Sequence, residues 1–313
     1  MSTTKPAFLL PAPAIYFPIT EDQYSTRAAL TKFGHDFGNG QQDRQLFQLD
    51  NELSRYRKNK LNIRNDTLHD YVCTETTDAS HLNAAATFIL QRLCQEHPEY
   101  FSLQGLNLDC RLTGEQLQLD SDHNLLPQKN NHYENLFDAL ALQVQEDICL
   151  MHIKDSIPTL TAAHLCAANH WSAREKLNMD MSSLHTQVPG FENENRQPNQ
   201  LLTGLYNKSQ PYVRFAWGLS DQPILNQHPS IKHIDVHQTD KKLWIRIERQ
   251  VIWPIANTDL VLFTIRTYFR DCSTLEKQQR QSLRHAINSM SDATLKYKHI
   301  NKADVLKRLE CDA

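Results

Sequence analysis

Three strand-like runs lie between Tyr212 and Tyr268: Tyr212 to Trp217 and Leu243 to Trp253 alternate apolar with polar residues, and Leu260 to Tyr268 opens almost wholly apolar. A two-residue period sends successive side chains to opposite faces of a strand. Val213, Phe215 and Trp217 therefore share one face, as do Leu243, Ile245, Ile247, Val251 and Trp253. Val261, Phe263, Ile265 and Phe269 mark one face of the last strand. The connections between these runs are too polar to be crossover helices, so antiparallel pairing follows. Two earlier strands are expected at Asp147 to Ile153 and Thr159 to Ala168, split by the turn Asp155-Ser156-Ile157-Pro158. The order strand, strand, helices, strand, strand, strand predicts an α+β fold: a PAS-like antiparallel five-stranded sheet with helices on one face.

Helical periodicity is clearest from Ser80 to Glu96, where Leu82, Ala85, Ala86, Ile89, Leu90, Leu93 and Cys94 recur at i, i+3, i+4 and i+7. Asp78 or Ser80 can cap this helix, and Pro98 ends it. Leu103 to Leu119, with Thr113-Gly114 inside, reads as a hairpin or short strands, and Tyr133 to Val144 reads as helix. Ser172-Ala173-Arg174-Glu175 and Ser273-Thr274-Leu275-Glu276 have the form of capping boxes, opening helices that run to His185 and to Met290. Further helices are expected at Arg196 to Tyr206 and Ala303 to Leu309. This divides the chain into residues 1–130, a helical and extended region packing on the core, and residues 131–313, a PAS-like core with C-terminal helices.

Composition narrows the function classes. A net charge of -3 and a pI near 6.6 argue against a generic nucleic-acid or anionic-membrane surface. The longest apolar run, Leu260 to Ile265, is far short of the ~20 residues of a membrane-spanning helix. The stretch from Ala7 to Ala14 is interrupted by Pro11 and Pro13 and reads as an extended arm rather than a signal peptide. The seven cysteines contain no CxxC, which favours reduced, mostly buried thiols and a cytoplasmic protein. There is no GxGxxG or GxxxxGK[ST], which argues against a Rossmann or P-loop nucleotide site, and Gly34 to Gly40 (GHDFGNG) is a loop with no clear strand before it. The basic, irregular stretch from Asn51 to Arg64 (RYRKNKLNIR) is either a solvated helix or loop face or a docking surface for an acidic partner.

His185 is the first candidate for chemistry. On a helix it would share a face with Leu177, Met181 and Leu184, just before the stop Val188-Pro189-Gly190. A neutral imidazole in an apolar pocket is a common axial ligand of haem iron, although a histidine there is also an ordinary core residue. Arg214, Arg249 and Arg266 lie inside strands, and a buried guanidinium needs either an internal carboxylate such as Glu248 or Glu146, or a bound anion. Gln145-Glu146-Asp147 offers paired carboxylates at a helix-to-strand junction. His228, His233 and His237 have no HExxH around them and specify no metal site, and His164 shares a strand face with Cys166.

Lys176 with SLHTQVPGF (Ser183 to Phe191), VRFAW (Val213 to Trp217), RIERQVI (Arg246 to Ile252) and LVLFTIRTY (Leu260 to Tyr268) occur in the order of one family, and VQEDICLM (Val144 to Met151) looks like its first core strand. The chain resembles the haem-dependent oxidative N-demethylase family, most closely over residues 130 to 290. The resemblance implies haem b in a PAS-like domain with His185, in the family's His-x-Pro-Val-Pro-Gly stretch, as metal ligand. It also implies oxygen-dependent removal of a methyl group from a small secondary amine, releasing formaldehyde, with electrons from a separate flavin and iron-sulfur reductase. His185, Pro189, Gly190, Arg214, Trp217, Glu248 and Arg249 match the family's pattern. Gln187 stands where the family has proline and Ala216 where it has asparagine. Its Cys-Phe-Pro-Ser-x-Trp is here Cys166-Ala167-Ala168-Asn169-His170-Trp171.

The expectation is therefore a haem-dependent monooxygenase. His185 binds iron, with Trp217 beside the cofactor. Arg214, Arg249 or Arg266 pairs with propionates or polarises bound oxygen, and Glu146 holds the substrate ammonium. Self-association stays open. The rival expectations are a haem-binding or gas-sensing module without turnover, and a haem-free PAS-like scaffold.

Overall fold

The computed structural model describes residues 9–19, 22–64, 67–127, 133–191, 197–231 and 242–311. Its main sheet has seven antiparallel strands in the order β1-β8-β9-β10-β6-β7-β2. Five strands are long: β6 (Asp147–Lys154), β7 (Ile157–His164), β8 (Tyr212–Ser220), β9 (Trp244–Pro254) and β10 (Leu260–Asp271). The two-residue strands β1 (Thr31–Lys32) and β2 (Val72–Cys73) extend the edges by pairing with β8 and β7. A separate three-stranded sheet is built from β3 (Phe101–Gln104), β4 (Asn107–Cys110) and β5 (Glu115–Gln118).

This overturns the five-stranded PAS-like sheet with helices on one face. Strands of two residues carry no alternation to read, and they come from the N-terminal region, which adds both edges and a second sheet.

The helices also cover both faces. On one face Ile148, Leu150, Val213, Val251, Leu260 and Leu262 pack against α3 (Ala79–Glu96) and α4 (Leu136–Ala141). The same face continues through Ile245, Ile247 and Tyr268 to α8 (Lys277–Ser289) and α10 (Lys302–Cys311), with α9 (Asp292–Tyr297) between them. The opposite face presents Cys149, Met151, Ile252, Val261 and Ile265 to three short helices: α5 (Ala173–Lys176), α6 (Met181–Leu184) and α7 (Pro198–Asn207). That second layer positions His185.

The segment expected to be one helix from Ser172 to His185 is broken. Asn178 is left-handed at φ 65°, and the backbone at 178–180 pairs with the edge of β7 through Asn178 N–H to Leu160 O at 2.8 Å and Leu160 N–H to Met179 O at 3.0 Å. Ser172 makes no side-chain cap, whereas Asp180 caps α6 by accepting the Ser183 N–H at 2.8 Å. The second expected box falls one turn later, with Glu276 and Gln279 capping α8 reciprocally.

The basic stretch around α1 (Leu53–Ile63), which precedes the short helix α2 (Leu68–Tyr71), is mostly turned inward. Lys60 is buried and donates to the carbonyls of Ala141 at 2.8 Å, Val144 at 3.1 Å and Glu146 at 2.5 Å. Arg57 pairs with Glu115 at 2.7 Å, and Arg64 forks onto Asp138 at 2.6 and 2.8 Å. These charges hold α1 to the chain's own acids and carbonyls, so they do not form a docking surface for an acidic partner.

Six described cysteines are free thiols, and no helix of the described residues is long and apolar enough to cross a membrane. Cys166 Sγ lies 3.6 Å from His164 Nδ1, and His164 Nε2 lies 3.2 Å from Asp138 Oδ1. All three residues are buried, and burial pushes the Cys166 thiol far above its ordinary range, so the trio is packing rather than a nucleophile.

Burial also lowers the pKa of His97 and of His164, so both are held neutral in the fold. The unfolded chain then binds more protons than the folded one as pH falls through ~6.5, and stability falls with it. Each histidine contributes up to about 1 kcal/mol per pH unit there. Urea midpoints should drop between pH 7 and pH 5.5; a flat profile would contradict the neutral assignment.

Candidate functional site

His185 closes α6 at its C-cap. Its Nδ1 lies 2.9 Å from the carbonyl of Met181, so in the neutral ring Nδ1 carries the proton and Nε2 keeps its lone pair. Histidines that bind metals are commonly oriented in this way, by donating the other ring N–H to a backbone carbonyl. Desolvation lowers its pKa, with Arg214 and Lys176 adding to the effect, which keeps the lone pair available. Phe191 stacks on the ring with centroids 4.3 Å apart and planes 9° apart. Lys176 donates to the Leu184 carbonyl at 2.7 Å, placing a cation at the end of α6.

The imidazole borders a cavity walled by Met181, Phe191, Leu202, Leu205, Ile252 and Arg214, with Ala28 and Leu30 of the N-terminal arm. Arg214 is the one cationic side chain among the described residues of this wall. It donates through Nε to Ala28 O at 3.1 Å and through Nη1 to Gln250 Oε1 at 3.1 Å. Gln250 donates onward to Glu248 Oε2 at 3.1 Å, and Arg246 Nε lies 3.4 Å from Glu248 Oε1. The alternation of RIERQ thus lines up Arg246, Glu248 and Gln250 on the His185 side of the sheet. Burial lowers the Arg214 pKa and Glu248 opposes it, leaving the guanidinium under-compensated beside the imidazole.

The other predicted residues are placed elsewhere. Arg266 is on the opposite face, bonded to Asp50 at 2.6 Å and lying over the rings of Tyr56 and Tyr268 at 4.0 and 4.6 Å. Arg249 is on that face too, donating to Gln45 O at 3.0 Å, with Nε and Nη1 unpartnered. Glu146 is fully buried, and one of its oxygens accepts the Gln48 N–H at 2.8 Å. Trp217 packs edge-on to Tyr24 with centroids 5.7 Å apart, and its carbonyl accepts from Lys298 at 2.7 Å. His170 sits against His299 with ring centroids 4.7 Å apart. His228 bonds Ser230 at 2.7 Å, while His233 and His237 lie outside the described residues.

Sequence reasoning missed Gln250, Phe191 and the arm residues Ala28 and Leu30. Gln250 could have been found, because antiparallel register sets it opposite Arg214. Ala28 and Leu30 could not, because nothing local to them points across the sheet.

The donor set suits a haem: a neutral imidazole whose Nε2 carries the lone pair, a guanidinium that can pair with a carboxylate, and otherwise apolar walls. The space is tighter. The cavity holds about 40 Å³, whereas cofactor pockets hold ~300–1,000 Å³. The walls as they stand leave less room than a macrocycle needs.

No curated protein matches the chain. The family model described as haem-dependent oxidative N-demethylase, alpha subunit-like, matches residues 39–305, a span that takes in α6, Arg214 and the whole RIERQ strand. With that match spanning most of its length, the chain belongs to the haem-dependent oxidative N-demethylase, alpha subunit-like family.

Proposed function

We propose that this protein is a haem b oxygenase that removes a methyl group from a small secondary amine. The observation that carries the reading is the His185 arrangement: Nδ1 committed to the Met181 carbonyl, the lone pair left on Nε2, and the ring at the wall of an apolar cavity. When bound, the haem would activate O2 with two external electrons to oxidise the N-methyl carbon. The balance is R–NH–CH3 + O2 + 2e⁻ + 2H⁺ giving R–NH2, formaldehyde and water. The chain's own groups do the rest. His185 would bind iron through Nε2, Arg214 would hold a propionate, and Leu202, Leu205 and Ile252 would exclude water and confine the methyl group. The electrons would come from a separate flavin and iron-sulfur reductase, consistent with a family described as an alpha subunit.

With haem supplied and an artificial electron donor present, dimethylamine should accelerate oxygen uptake, releasing one formaldehyde per O2 consumed. Oxygen uptake indifferent to the amine, with no formaldehyde, would replace this reading with a gas-binding haem protein.

A further inference from the structure

We propose that His81, His152 and Asp259 form a second site, for a divalent transition-metal cation of the zinc class. One ligand atom from each lies within 4.8 Å of the others. The three residues come from three elements: His81 from the first turn of α3, His152 from β6, and Asp259 from the β9–β10 turn.

The contacts are those of a ligand set around one carboxylate. His152 Nε2 is 2.8 Å from Asp259 Oδ2, His81 Nε2 is 3.6 Å from Asp259 Oδ1, and the two imidazole centroids are 4.6 Å apart. An ordinary histidine–aspartate hydrogen bond uses one imidazole; here two converge, each by Nε2. On the far side of His81 a second carboxylate, Asp78, lies 4.0 Å from Nδ1, adding negative charge near the set.

The frame is fixed on two sides. His152 pairs in register with Leu260, and the Ile153 N–H bonds the Asp259 carbonyl at 2.8 Å, tying the hairpin turn to β6. An ion would therefore clasp α3 to the sheet. Two imidazoles and one carboxylate suit Zn2+ and its neighbours, at ~2.0–2.2 Å per ligand, so a contraction of an ångström or so closes the set. The histidine side chains are 23% and 21% exposed and that of Asp259 is 46% exposed, so solvent reaches the remaining coordination positions. Asp259 also lines an open cleft of about 650 Å³ with Tyr206, Asn257 and Thr258.

Calorimetric titration of the purified full chain with Zn2+ tests this. One equivalent should bind, and Asp259→Asn and His81→Gln, both close in shape to the native residues, should each weaken binding at least about tenfold. His185→Ala should leave this site intact, which separates it from the haem. Absence of Zn2+ binding to the wild type, or binding unchanged in both variants, would overturn the proposal.

Discussion

Asp50→Ala is expected to cost about 3–5 kcal/mol of stability, because it strands a buried guanidinium. Asp50 is 0% exposed and Arg266 is 1% exposed, and their contact is 2.6 Å. Among the described residues Arg266 has one other acceptor, the carbonyl of Thr267 at 3.0 Å, so most of its compensation is lost with the carboxylate. The same aspartate accepts the Gln145 side-chain amide at 2.8 Å and the Glu52 N–H at 2.9 Å, which opens α1. Against a typical total of ~5–15 kcal/mol, this is a large fraction. The urea midpoint should fall accordingly, with an unchanged slope. Asp50→Ala combined with Arg266→Met should lose less than the sum of the two single changes, since the second removes the charge that the first left unpaired. Additive losses would contradict the pairing.

The long strands and α3 were legible because each is a local pattern. Tyr212 to Trp217 falls inside β8, Leu260 to Tyr268 inside β10, and the helix expected from Ser80 begins one residue earlier. The number of strands and the placement of helices were not legible. Thr31–Lys32 and Val72–Cys73 become strands only because β8 and β7 offer open edges, a tertiary cause with no period. The kink at Asn178 has the same origin, in pairing with Leu160 across the chain. At the site, strand phase correctly separated Arg214 from Val213, Phe215 and Trp217, yet only the fold decides which face meets α6. That choice puts Arg214 with His185 and sends Arg249 and Arg266 to the other side. His152 and Asp259, 107 positions apart, share no spacing that a motif could capture.

His185→Ala should have the largest effect on the proposed chemistry. The substitution removes Nε2, the one unprotonated imidazole nitrogen at the cavity, and leaves Arg214 and the apolar wall in place. The wall would still favour a hydrophobic macrocycle, but iron would lose its protein ligand, so haem retention should fall at least about tenfold and turnover should be lost. Because His185 is only partly buried, its loss should cost far less stability than Asp50→Ala. Arg214→Leu should weaken haem retention without changing the ligand field, since a propionate partner touches the edge of the macrocycle and not the iron.

The most direct test is the absorption spectrum of the purified wild type, grown with ample haem, recorded beside His185→Ala. A Soret band in the wild type that is lost or shifted in the variant is the predicted result. A Soret band identical in both, or none in the wild type after haemin is added, would contradict the assignment of His185 as the iron ligand.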